Sequence, residues 1–321
     1  MADTSSRELA RATLRRFLRP ESPIPELQGP NQRLRLAFHH EGLWGILCQQ
    51  QDWKEEYLQE LGRQGRWLDL LHEIDQALAR HGARAFVFKG GSAICGLYPG
   101  LGQRPLSDLD LWADDESVAL ILEQLGFRIV SQNPRVMARG PFRLDLHQHP
   151  LGRQGHAFGW NLQRARSQGI PLSPAAGIMR FSLEDETLIA LLHAGKHGYS
   201  RSIWLADLGL LLDRCAPERL RPLLVEAGAQ RYLSYARWML CQEAQILAAE
   251  WAGPLRLNAW ERWFLEGCCR RRPSWRAGML LPLFSIRSPR RAFGYLWRAL
   301  RPKARQSLWQ RGLELLWAPA P

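Results

Sequence analysis

A short apolar run ending in a glycine pair, with three aspartates spaced behind it, constrains this chain more than any other feature. Ala85-Phe86-Val87-Phe88 is an apolar run with β propensity. Lys89-Gly90-Gly91-Ser92 follows at once, and Ala93 to Tyr98 reads as a helical start. Asp108-Leu109-Asp110 begins 17 residues past Gly91, inside a segment from Leu106 to Trp112 that alternates like a strand. Asp145 stands 35 residues beyond Asp110, in the strand-like Arg143 to Leu146. Ser117 to Leu125 reads as a helix closed by Gly126, and Phe127 to Val130 as another strand. Strands alternating with helices predict an α/β or α+β core over residues 83–150, with helical regions on its N-terminal and C-terminal sides.

The chemistry follows from period two. Side chains two apart on a strand point the same way. Asp108 and Asp110 then project together, while Leu109 and Leu111 turn to the core. Asp145 sits between Leu144 and Leu146 in the same pattern. If the two strands pair, three carboxylates converge, and they stay ionised together only beside a cation. Oxygen ligands of this kind suit Mg²⁺, and two such ions clamp both oxygens of an in-line phosphoryl displacement. A Gly90-Gly91-Ser92 turn lets phosphate approach the backbone. Lys89 and Arg104 supply positive charge, and the Ser92 hydroxyl a phosphate contact. Taken alone, a Gly-Gly turn is more often punctuation, and acids are common on exposed strand edges. The combination carries the reading.

The flanking regions are helical. In 1–82, Ser6 to Leu18 has amphipathic spacing, prolines from Pro20 to Pro30 make a connector, and Asn31 to His81 reads as two or three helices. In 151–254, Gly152 to Gly177 reads as a long loop. Leu183 to Leu212 is helical behind the capping sequence Ser182-Leu183-Glu184-Asp185, and Arg219 to Trp251 continues as helices. His193 and His197 share a helix face with Lys196. A zinc reading lacks the third ligand, which leaves either His193, Lys196 and His197 facing the triphosphate or acceptor, with Lys196 binding nucleotide, or hydrogen-bonded core or interface histidines. Asp207 is placed to orient one of them. His147 shares a strand face with Asp145 and is substrate-facing or supporting.

Charge must be placed before it is interpreted. The net charge of the 321 residues is +12. Residues 255–321 hold 14 basic and 3 acidic residues, against 29 and 28 in the first 254. This Arg/Trp-rich segment supports contact with anionic membrane, contact with nucleic acid, or a solvated basic face on packed helices. Trp260 and Trp263 fit one helix face and are expected in the core. No apolar stretch is long enough to span a membrane. No secretory signal is visible and the six cysteines form no C-x-x-C pattern, so reduced thiols in a cytoplasmic protein, membrane-peripheral at most, are expected.

Phe88-Lys89-Gly90-Gly91-Ser92, Tyr98-Pro99, Arg104 to Leu111 and Asp145-Leu146-His147 resemble the nucleotidyltransferase superfamily of the DNA polymerase β type. Within it the chain is similar to a bacterial group of uncharacterised nucleotidyltransferase family proteins, also in Leu192 to His197 and Trp204 to Leu208. The resemblance covers roughly Leu34 to Leu224. It implies an α+β fold, a small mixed sheet flanked by N-terminal and C-terminal helical regions, and Mg²⁺-dependent transfer of a nucleoside monophosphate from an NTP to a hydroxyl-bearing acceptor, a small molecule, peptide or protein. It also implies that Gly91-Ser92 hold triphosphate, that Asp108 and Asp110 bind metal, and that Asp145 binds the catalytic metal and helps deprotonate the acceptor. The alternative is a nucleotide- or partner-binding module without turnover.

Overall fold

A computed structural model describes residues 4–130, 135–152, 157–245, 251, 257–271, 281–286, 292–295 and 297. The chain divides into two compact units. The first comprises 1–13, 24–152 and 162–186, the second 14–23, 153–161 and 187–321. Among the described residues no helix is long and apolar enough to cross a membrane.

The first unit holds the sheet. Its strands are β1 (Ala85–Phe88), β2 (Leu109–Trp112), β3 (Arg128–Ile129), β4 (Val136–Arg139), β5 (Phe142–His147), β6 (Ile170–Pro171) and β7 (Ile178–Arg180). They run in the order β3-β4-β5-β2-β1-β7-β6. β2 is antiparallel to β1 and parallel to β5, and β1 is parallel to β7. The sheet is therefore mixed, as the resemblance implies.

Period two divides its faces. Val87, Leu109, Leu111 and Leu144 are fully buried against one layer of helix. That layer is α4 (Lys54–Arg80), which contributes Trp67, Leu70, Leu71, Ile74 and Leu78, and α6 (Ser117–Gln124), which contributes Val118, Ile121 and Leu122. The opposite face carries Phe86, Phe88, Asp110, Trp112, Asp145 and His147. There Phe86 stacks on Phe181 with ring centroids 4.7 Å apart, and Trp112 stacks on the same ring at 6.0 Å. The acids thus project from an aromatic floor.

Three strands are absent from the sequence reading. β4 forms a hairpin with β5 through Gly140, at φ 56°, and Pro141. The expected loop from Gly152 to Gly177 instead contains a short helix, α7 (Leu162–Ser167), and β6, and leads straight into β7. β7 is only three residues long. Its entry is held by Asp75 of α4, whose carboxylate accepts the Ile178 N–H at 2.6 Å across 103 positions of sequence. No local pattern announces such a strand.

The second unit is helical where described. α8 spans Leu183–Lys196, with the unit division falling inside it, and α9 spans Ser202–Arg214. α10 (Pro217–Ala227), α11 (Gln230–Ala244) and α12 (Ala259–Arg271) follow. The expected helical run from Leu183 to Leu212 is broken where Gly198 and Tyr199 take positive φ. At the start of α8 the Asp185 N–H bonds the Ser182 hydroxyl, a capping contact of the kind its sequence predicts.

Trp260 and Trp263 are not core. They are 70 % and 67 % exposed. α12 buries Glu261, Leu265 and Cys268, a stripe of i, i+4, i+7 that leaves the tryptophans on the other side. Most of the basic segment past Arg271, including Trp275, Trp309 and Trp317, lies outside the described residues.

Candidate active site

The register of β2 and β5 sets the site. Asp110 pairs with Asp145 across parallel strands, and Trp112 pairs with His147. On the other side Phe88, the last residue of β1, lies opposite Asp110. Asp110, Asp145 and His147 each offer a ligand atom, and these atoms lie within 4.8 Å of one another. Asp108 precedes β2 and is not in that group. Its Oδ1 accepts the Ser107 hydroxyl at 2.7 Å.

Asp110 is buried, yet its carboxylate stays ionised. Burial alone would push it up. The adjacent Lys89 charge and the His147 hydrogen bond outweigh that and hold it well below the usual carboxylate range. Lys89 Nζ donates to Oδ1 at 2.7 Å, and His147 Nε2 lies 2.6 Å from the same oxygen. Asp145 goes the other way. Burial pushes its carboxyl above the usual value, and the charges of Asp110 and Asp108 add to this against His147 and Lys89. Its Oδ1 is buried with no hydrogen-bond partner. An orphaned buried acceptor costs about 1–3 kcal/mol. Beside a second carboxylate, such an oxygen fits a hard divalent cation.

Lys89 reaches Asp110 from a costly backbone. It is a non-glycine residue at φ 55°, ψ −130°, between β1 and the one-turn helix α5 (Gly90–Ala93). Backbone held in such a region costs about 1–3 kcal/mol and collects at functional sites. The two glycines are demanded partly by packing. A Cβ on Gly91 would stand 2.6 Å from both Leu109 Cδ1 and Val87 Cγ2, so α5 lies directly on the sheet. A Cβ on Gly90 would stand 3.2 Å from Arg104 Nη2, which places that buried guanidinium against the turn.

The Ser92 hydroxyl donates to Glu186 Oε1. Glu186 carries no local signal, since it lies in the acidic first turn Glu184-Asp185-Glu186, where helix-dipole complementarity already explains acids. His147 is signalled, by its place two residues from Asp145.

The remaining expected residues belong to the second unit, where His193 and His197 come together. His193, His197 and Trp204 make a triangle of rings with centroids 4.6, 5.1 and 5.0 Å apart. The Arg201 guanidinium carbon is 5.8 Å from the Trp204 ring centroid. Lys196 is half-buried on α8, and Asp207 is buried on α9.

The interior strands β2 and β5 thus carry two register-matched aspartates and a histidine, with the positive-φ Lys89 and its glycine turn beside them. The model of the family described as uncharacterised nucleotidyltransferase matches residues 42–243, and the chain belongs to that family. Among curated proteins and among solved structures, nothing matches the chain significantly.

Proposed function

We propose that the chain is a Mg²⁺-dependent nucleotidyltransferase of the polymerase β type, moving a nucleoside monophosphate from an NTP to a hydroxyl-bearing acceptor. The observation that carries this is the side-by-side pair Asp110 and Asp145, with the orphaned Asp145 Oδ1, next to the Lys89-Gly90-Gly91 turn. Asp110 and Asp145, with Asp108 at the mouth of the strand, would hold the metal, two ions in the full site. When bound, Mg²⁺ would supply charge stabilisation for the displacement.

The chain's own groups do the rest. Lys89, Arg104 and the backbone of Gly90 to Ser92 neutralise and seat the triphosphate. Asp145, beside Asp110 across the β2–β5 register, helps take the acceptor's hydroxyl proton. The acceptor oxygen bonds to the α-phosphorus, the α–β anhydride breaks, and pyrophosphate leaves with the electron pair. The aromatic floor of Phe88, Trp112 and Phe181 limits water. His147 positions Asp110.

The test is transfer of label from α-³²P-NTPs to acceptors in a cell extract with Mg²⁺, by wild type, Asp108→Ala and Asp110→Ala. The reading expects labelled product from wild type only. Equal labelling by all three removes the proposed roles.

One observation favours a second reading, a nucleotide-binding module without turnover. Asp110 Oδ1 is already engaged by the Lys89 ammonium and by His147 Nε2. Nucleotide binding that is indifferent to divalent metal would select it. We also propose that residues 255–321 contact an anionic surface, membrane or nucleic acid, on the strength of their charge and the exposed Trp260–Trp263 pair.

A further inference from the structure

A cavity of about 290 Å³ opens in the first unit between α4, the 104–107 loop and the β4–β5 turn. Its apolar wall is Trp67, with Phe142 edge-on at 4.9 Å. Its polar wall is cationic. Arg63 and Arg66 enter from one face of α4, and Arg104 enters from the loop. Glu60, one turn before Arg63, is the acid among the lining residues, and it is buried against the Arg63 guanidinium at 2.5 Å. Three guanidiniums and one carboxylate leave a formal charge of about +2, with the Arg104 share lying between this cavity and the Gly90 turn, which suits an anionic phosphate group.

Two contacts tie this cavity to the acidic site. Ser107 lines it and donates to the Asp108 carboxylate. Arg104 lines it and lies against Gly90. A ligand held here would have its anionic end among the arginines and its other end toward the aspartates. The volume is at the small end of ligand pockets, which run from roughly 300 Å³ upward. It suits one phosphate group on a short organic stem.

We propose that this cavity binds the phosphate group of a small phosphorylated acceptor. Guanidinium forks match phosphate oxygens two at a time. The role as acceptor site rests on the nucleotidyltransferase reading above, but the binding of phosphate does not.

The test is calorimetric titration of inorganic phosphate and of glycerol 1-phosphate into the full chain, at fixed ionic strength with EDTA. Wild type is expected to bind both, glycerol 1-phosphate at least as tightly. Arg66→Gln, and Arg63→Gln with Arg66→Gln, are expected to weaken both by about tenfold or more per guanidinium. Asp110→Asn, and Arg219→Gln with Arg221→Gln on α10, should bind as wild type does. Urea midpoints establish that each variant is folded, and Arg66→Gln alone decides the matter if the double variant is not. Phosphate affinity unchanged in Arg66→Gln would overturn the proposal. So would equal loss in Asp110→Asn, which would assign the phosphate to the acidic site. Loss confined to the cavity variants, in a chain that transfers no nucleotide, would sustain the cavity and sink the catalytic reading. Transfer to acceptors without any phosphate binding would do the reverse.

Discussion

Two carboxylates with buried oxygens in this molecule are treated in opposite ways. In the second unit Glu261 has every oxygen answered. Arg231 donates to both, the Tyr235 hydroxyl donates to Oε1 at 2.5 Å, and the Asn258 N–H donates to Oε2 at 2.8 Å. Burial would raise its proton affinity, but these partners outweigh burial and hold its carboxyl below the usual range. In the first unit Asp145 is raised and one of its oxygens is left alone. Glu261 locks α11 to α12 and completes the N-terminal cap of α12 with Asn258. Asp145 does no such work and costs stability. A carboxylate oxygen kept buried without a partner, beside a second carboxylate, is where ligand binding has to enter the account.

Substitutions should separate the two. The largest effect is on activity: Asp145→Asn should lower nucleotidyl transfer by on the order of 10³-fold, since several kcal/mol of charge stabilisation goes with the metal site. In chelator its stability should be within about 0.5 kcal/mol of wild type or above it. A clear loss of stability would make Asp145 structural and break the contrast.

Glu261→Ala should do the opposite. It strands Arg231 and the Tyr235 hydroxyl, and should lower unfolding stability by about 2–4 kcal/mol, read as a urea midpoint, with residual activity scaling only with folded fraction. Gly91→Ala should cost about 1–3 kcal/mol by overpacking Leu109 and Val87. If it instead leaves stability intact and lowers only nucleotide affinity, the phosphate explanation for that glycine outweighs packing.

Smaller again is the pH effect. The Glu261 carboxyl is depressed on folding, so its contribution is present above its unfolded value of about 4.3 and is lost as pH falls through the lower folded value. Wild type should therefore lose more stability than Glu261→Gln between about pH 5 and pH 3. Parallel curves would contradict the pairing.

The same contrast explains what could be read from the sequence. The acids on β2 and β5, the glycine turn and the leucines between the acids follow from period two and from turn chemistry, which are local. The alternation of strands and helices in the core follows too, while the mixed pairing of the strands comes from the resemblance. β7 was not legible, because what fixes it is Asp75 more than a hundred residues away. Nor was the left-handed backbone of Lys89, since no rule marks a lysine for positive φ, or the partnership of Ser92 with Glu186. Trp260 and Trp263 misled because tryptophans three apart fit a buried stripe and an exposed one equally well. Only the burial of Glu261, an acid taken inside by Arg231, decides which face of α12 turns inward.

The central claim is that Asp110 and Asp145 together hold a divalent cation that nucleotide binding uses. Titration of Mn²⁺ into the protein with a non-hydrolysable NTP, followed by the loss of free-ion electron paramagnetic resonance signal, tests it directly. The account predicts bound Mn²⁺ in wild type, competed away by Mg²⁺, and at least about tenfold weaker binding in Asp110→Asn and in Asp145→Asn. Equal Mn²⁺ binding by all three proteins, or none by wild type, would contradict it.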